Sequence, residues 1–169
     1  MLDPNAPLDQ PTPVREAYAK KFGGRDQADR ILANVTEVAA KEGIEFRMDI
    51  AVRANTAPAH RLLKLIERVE PSKQGTVNES IMRAYFSEGL DISRDDTLRM
   101  CADRVGFHLA KDTALNDESL TSDVEEDLRW ASHHDITAVP TFVVNDSLVI
   151  PGAQDSETFA RLLSRMATR

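Results

Sequence analysis

The 169 residues hold 41% hydrophobic and 29% charged side chains, the balance of a soluble globular protein with room for one substantial core or two small lobes. Acidic residues outnumber basic ones by 28 to 21, and the net charge of −7 argues against phosphate backbones and anionic lipid surfaces as partners. No apolar run approaches the ~20 residues of a membrane span and the first residues lack the basic start and apolar core of a secretory signal, so a cytoplasmic protein is expected.

Four prolines within residues 2 to 13 predict an extended entry segment, ended by a helix that opens at Thr12-Pro13 and stops at Gly23-Gly24. A second helix, capped by Asp26, carries the stripe Ile31, Val35, Val38, Ala39 and ends at Gly43. Residues 44 to 50 are apolar at every second position, the pattern of a short half-buried extended segment. Asn55 or Thr56 caps a third helix with Leu62, Leu65, Ile66 and Val69 on one side, and a fourth follows on Val77, Ile81, Ala84 and Tyr85. Ser93-Arg94-Asp95-Asp96 resembles a capping box heading a helix with Leu98, Cys101, Ala102 and Val105 inward. Ser122-Asp123-Val124-Glu125 opens another helix that runs to about His133, and a last one spans Ser156 to Met166 with Phe159, Leu162, Leu163 and Met166 inward.

Between those two helices, residues 141–144 and 147–150 flank Asn145-Asp146, a pair that tolerates positive φ, which predicts a β-hairpin. Two strands alone bury too little apolar surface to be stable, so further structure must complete this sheet. Pro140 sits at the first residue of the leading strand, where a missing N–H costs little. Taken alone it is a strand-entry proline in a trans bond.

The stretch Asp135-Ile136-Thr137-Ala138-Val139-Pro140-Thr141-Phe142-Val143-Val144, followed by a second strand and Gly152-Ala153-Gln154, resembles the C-terminal half of the DsbA-like thioredoxin-fold oxidoreductases, in particular their FrnE-like branch. Leu2-Asp3-Pro4-Asn5-Ala6-Pro7, Asn55-Thr56 with Ala59-His60-Arg61-Leu62, and Ala84-Tyr85-Phe86 with Glu88-Gly89 and Asp91-Ile92 resemble its successive signature segments in order. The resemblance implies an α/β, thioredoxin-like fold with a large inserted helical lobe. The expected organisation is an entry segment over 1–12, the lobe over 13–120, and a C-terminal thioredoxin-like part over 121–169. It also implies a cytosolic thiol–disulfide oxidoreductase acting on disulfide-bearing proteins or small molecules. In that reading Pro140 is the cis-proline of the catalytic site, with Val139 and Thr141 as substrate-binding residues; no cofactor and no metal is implied.

The sequence departs from the family in having no Cys-x-x-Cys, whose attacking thiol needs a helix N-terminus to lower its pKa. Its first residues resemble the segment that follows the family's second strand, so an incomplete thioredoxin fold, inactive by itself, is expected. The hydrogen-bonding edge this leaves on residues 141 to 145 predicts a homodimer. Cys101 lies on an apolar stripe and is expected to be a buried, inert core cysteine. His133-His134-Asp135 lacks zinc-ligand spacing, His60 is expected to be structural, and Trp130, Tyr85 and Phe86 are expected in the core. Two alternatives share these residues: a relative of the kappa-type glutathione transferases and chromene-carboxylate isomerases, which use bound glutathione, and a non-catalytic binding or assembly module.

Overall fold

The computed structural model describes residues 11–167. The Leu2–Pro7 segment lies outside them. Among the described residues, five α-helices, the first half of a sixth and a two-strand ladder build a body that ends at Glu126; a smaller unit begins at Asp127, within that sixth helix.

In the larger unit, strand β1 (Thr12–Pro13) pairs antiparallel with β2 (Val52–Arg53) and leads directly into helix α1 (Val14–Phe22). Helix α2 (Arg25–Lys41) follows; its end closes on Gly43, where Ile44 N–H donates to the Ala39 carbonyl at 2.9 Å. Ala28, Leu32 and Ala39 are its buried residues, whereas Val38 is exposed, so the inward stripe is rotated from the one expected.

Residues 44 to 50 do not form the expected extended segment. Arg47 N–H donates to the Phe86 carbonyl at 2.7 Å and Ser87 Oγ to the Glu45 carbonyl at 2.7 Å, so this backbone is satisfied by a helix end, and a turn closes at Ala51 N–H to Arg47 C=O. Met48 is buried and Phe46 stacks on Phe86 at 4.4 Å, while Ile44 and Ile50 are exposed. Val14, Leu32, Met48 and Ala51 make up the smaller of two cores.

The main core lies among helices α3 (Ala57–Val69), α4 (Gln74–Phe86) and α5 (Asp95–Asp103). Asn55 caps α3 through Oδ1, which accepts from Ala57 N–H at 2.9 Å. Leu62, Ile66, Val77, Ala84, Leu98, Cys101 and Ala102 are fully buried there, and Tyr85 packs against both cores. Val69, placed on the same stripe by its spacing, is 65% exposed because α3 ends at that residue. No capping box forms at α5: Asp91 Oδ1 accepts Ser93 N–H at 3.0 Å, and Asp96 binds Arg94 instead of reaching back.

Helix α6 (Glu118–His133) starts four residues before the expected Ser122, because Asp117 caps it, accepting from Ser119 N–H at 2.8 Å. Arg68 of α3 pairs with Asp123 and with Ser119 Oγ, which fixes this first turn on the larger unit, and Leu120 and Val124 are buried.

In the smaller unit, strands β3 (Thr141–Val144) and β4 (Leu148–Pro151) form an antiparallel hairpin followed by helix α7 (Ser156–Ala167). The register pairs Phe142 with Ile150 and Val144 with Leu148, one residue later on the second strand than expected; the loop is three residues, with Asn145 and Asp146 both at φ 52°. Ile150 is the buried large hydrophobic of this unit, and Phe142 meets Phe159 of α7 edge-on at 4.8 Å. Phe159, Leu162 and Met166 are half-buried and Leu163 is exposed, so α7 turns its apolar stripe toward the hairpin without sealing it. Trp130, expected in the core, is 45% exposed and stacks on His134 at 4.0 Å. Among the described residues no helix is long and apolar enough to cross a membrane.

Candidate functional site

The loop from the end of α6 to β3 carries the residues singled out by the sequence. Asp135, at φ 52°, reverses the chain after α6, and Ile136 N–H donates back to the Ala131 carbonyl at 3.0 Å. The following peptide, Val139–Pro140, is cis. Two hydrogen bonds hold this loop from within: Thr141 Oγ1 donates to the Ala138 carbonyl at 2.7 Å, and Gly152 N–H donates to the Pro140 carbonyl at 2.8 Å. The second joins the start of β3 to the residue after β4, so Gly152, which the sequence presents only as part of a family segment, is a clamp on the proline. A glycine directly after an apolar strand was the available signal.

Pro140, Val139 and Thr141 are thus brought together by chain order and by these two bonds. Val139 is 66% exposed, and among the described residues neither its N–H nor its carbonyl is hydrogen-bonded. Strand β3 pairs along one edge only, with β4, and its other edge has no ladder partner among the described residues. An unbonded peptide group beside a strand edge is the arrangement that accepts an extended chain as an added strand. Phe142 and Val149 are both partly exposed and, by the register, lie on opposite faces of the hairpin.

Dithiol chemistry requires a second thiol to resolve a mixed disulfide, and the sequence holds one cysteine. Cys101 is fully buried in the main core, with Sγ 3.8 Å from the Ser80 carbonyl. Burial pushes its thiol up, against the thiolate that exchange requires. Of the histidines, His134 receives a 2.9 Å contact between Nδ1 and the Trp130 carbonyl, His133 ends α6 exposed, and His60 is exposed on α3. Among the described residues no group of three His, Cys, Asp or Glu side chains is placed to hold a metal ion.

The sequence profile of the DSBA-like thioredoxin domain matches residues 2–164. The solved structure of a probable DsbA oxidoreductase from Streptomyces coelicolor is 27% identical, with a TM-score of 0.86 over 96% of this chain and 70% of that one. A solved structure from Nitrosomonas europaea, 18% identical, shares the fold with a TM-score of 0.72 over 85% of this chain and 74% of that one. The uncharacterized protein YwbO of Bacillus subtilis is 34% identical over 100 residues, 56% of this chain. The match spans about half the length of that relative, 48% of it.

Proposed function

Since the chain belongs to the DSBA-like thioredoxin family and has its α/β fold, we propose that it works in cytosolic thiol–disulfide exchange on disulfide-bearing proteins or small molecules. Val139, Pro140 and Thr141 form the substrate-facing segment, and residues 13–120 are the inserted helical lobe. The observation that carries this reading is the exposed Val139 peptide, with both of its polar groups unbonded beside an open strand edge. An extended substrate would satisfy them by adding a strand.

The chemistry itself needs thiols that these 169 residues do not supply, since the single cysteine is buried and its thiol held up by burial. The chain by itself is therefore inert. In an assay of disulfide reduction by a chemical dithiol, the rate with the protein present is expected to equal the uncatalysed rate. Turnover that survives Cys101→Ser would overturn this assignment of the chemistry.

The same edge of β3 accepts a second copy, and the homodimer is part of this proposal. Hydrogen exchange reads both partners. The amides of Val139 and of residues 141 to 144 are expected to slow with rising protein concentration and, in dilute solution where the chain is a monomer, on addition of an extended peptide that carries a disulfide. Exchange in this segment that depends on neither addition would refute both the docking edge and the dimer.

A further inference from the structure

On the larger unit, a groove of about 1040 Å³ lies between the first turns of α3 and α5 and the loop 113–116. Three arginines and three aspartates line it, and most of these charges cancel in pairs. Arg94 holds Asp96 through two hydrogen bonds, at 3.0 and 2.6 Å. Arg99 donates from Nε to Asp95 at 2.5 Å, and its terminal nitrogens go to the carbonyls of Ala110 and Thr113 at 2.9 and 2.6 Å.

Two half-buried charges remain. Arg61 donates through Nε to the Leu115 carbonyl at 2.7 Å; that carbonyl is its hydrogen-bond partner among the described residues, and none of their carboxylates forms an ion pair with it. Asp91 spends Oδ1 on Ser93, accepting its N–H at 3.0 Å and its hydroxyl at 2.6 Å, while Oδ2 has no partner among the described residues. A charge taken partly out of water without a counter-ion is costly, and burial lowers the Arg61 pKa from its ordinary value, a direction that a bound anion reverses.

We propose that this groove binds a small zwitterion, a free amino acid or a short peptide, with its carboxylate on the terminal nitrogens of Arg61 and its ammonium on Asp91 Oδ2. The planar guanidinium fork matches a carboxylate through two parallel bonds. A polyanion is disfavoured because three aspartates share the wall, and a simple cation because three arginines do. The neutral balance of the groove, with one charge of each sign left over, selects a ligand that carries both. No thiol takes part, so this site stands independently of the redox reading.

Calorimetric titration with dialanine, N-acetyl-dialanine and dialanine amide tests it. Dialanine is expected to bind saturably at millimolar concentration or below, and capping either end to weaken binding at least ~10-fold. Arg61→Gln should erase the difference between dialanine and its amide while keeping the penalty for acetylation. Asp91→Asn, which still accepts the Ser93 N–H, should do the reverse. If Arg61→Gln does not fold, the Asp91→Asn arm alone decides, through its selective loss. Absence of saturable binding, equal affinity for the three peptides, or unchanged selectivity in the variants would each overturn the assignment.

Discussion

Replacing Leu62 with alanine is expected to cost about 2–5 kcal/mol of folding stability. Leu62 is 0% exposed and packs in the main core with Ile66, Val77, Leu98 and Cys101. Removing its terminal carbons forfeits their transfer free energy and leaves a cavity whose walls, three packed helices, collapse only in part. A domain whose total stability is about 5–15 kcal/mol loses a large share of it to that one change. Chemical denaturation checks the value. The paired control is Val69→Ala, at the end of the same helix and 65% exposed, which is expected to change stability by no more than about 0.5 kcal/mol. Equal losses at the two positions would contradict the packing described for α3.

Gly89→Ala is expected to cost roughly 2–4 kcal/mol, for two separate reasons. The residue sits at φ +65°, a left-handed conformation that side chains resist, where it turns the chain after α4 so that Leu90 N–H closes on the Ala84 carbonyl at 2.9 Å. A Cβ there would also stand 2.8 Å from the Ile50 carbonyl oxygen and 2.8 Å from Ile50 Cγ1. The midpoint of thermal unfolding should fall by on the order of 10 °C. The double variant Gly89→Ala with Ile50→Ala separates the causes. It relieves the side-chain contact but leaves the backbone oxygen and the φ, so it is expected to recover only part of the loss. Complete recovery would mean that the backbone conformation costs nothing, against the geometry.

Helix positions were legible in the sequence wherever an apolar stripe recurs over three turns, as in α3, α4 and α5, because burying that stripe dominates the energetics. The errors lie where local spacing competes with tertiary partners. The alternation at residues 44 to 50 has the period of a strand, but Arg47 and Glu45 find their hydrogen bonds at the end of α4, and among the described residues no neighbouring strand pairs with them. Val38, Val69 and Leu163 share a period with buried residues yet are exposed, because periodicity does not encode where a helix meets its neighbours. At α6 the chain uses an Asp-x-Ser cap, and the later Ser-x-x-Glu pattern lies inside the helix.

For the candidate site, the position of Pro140 came from the hairpin pattern and its assignment from a family resemblance. The geometry that surrounds it did not. That Gly152 N–H engages the proline's own carbonyl, and that Val139 keeps both peptide groups unbonded, follow from the register of β3 against β4, which was expected one residue out. Arg61 and Asp91 were visible only as letters in two separate segments, since nothing local says that they line one groove.

Cys101 sits at the meeting of α4 and α5, and the sequence contains no other sulfhydryl. A small alkylating reagent can reach it only when those helices part. The rate at which the folded protein takes up one equivalent of label therefore clocks the rare openings of its helical interior, a readout that needs no engineered probe.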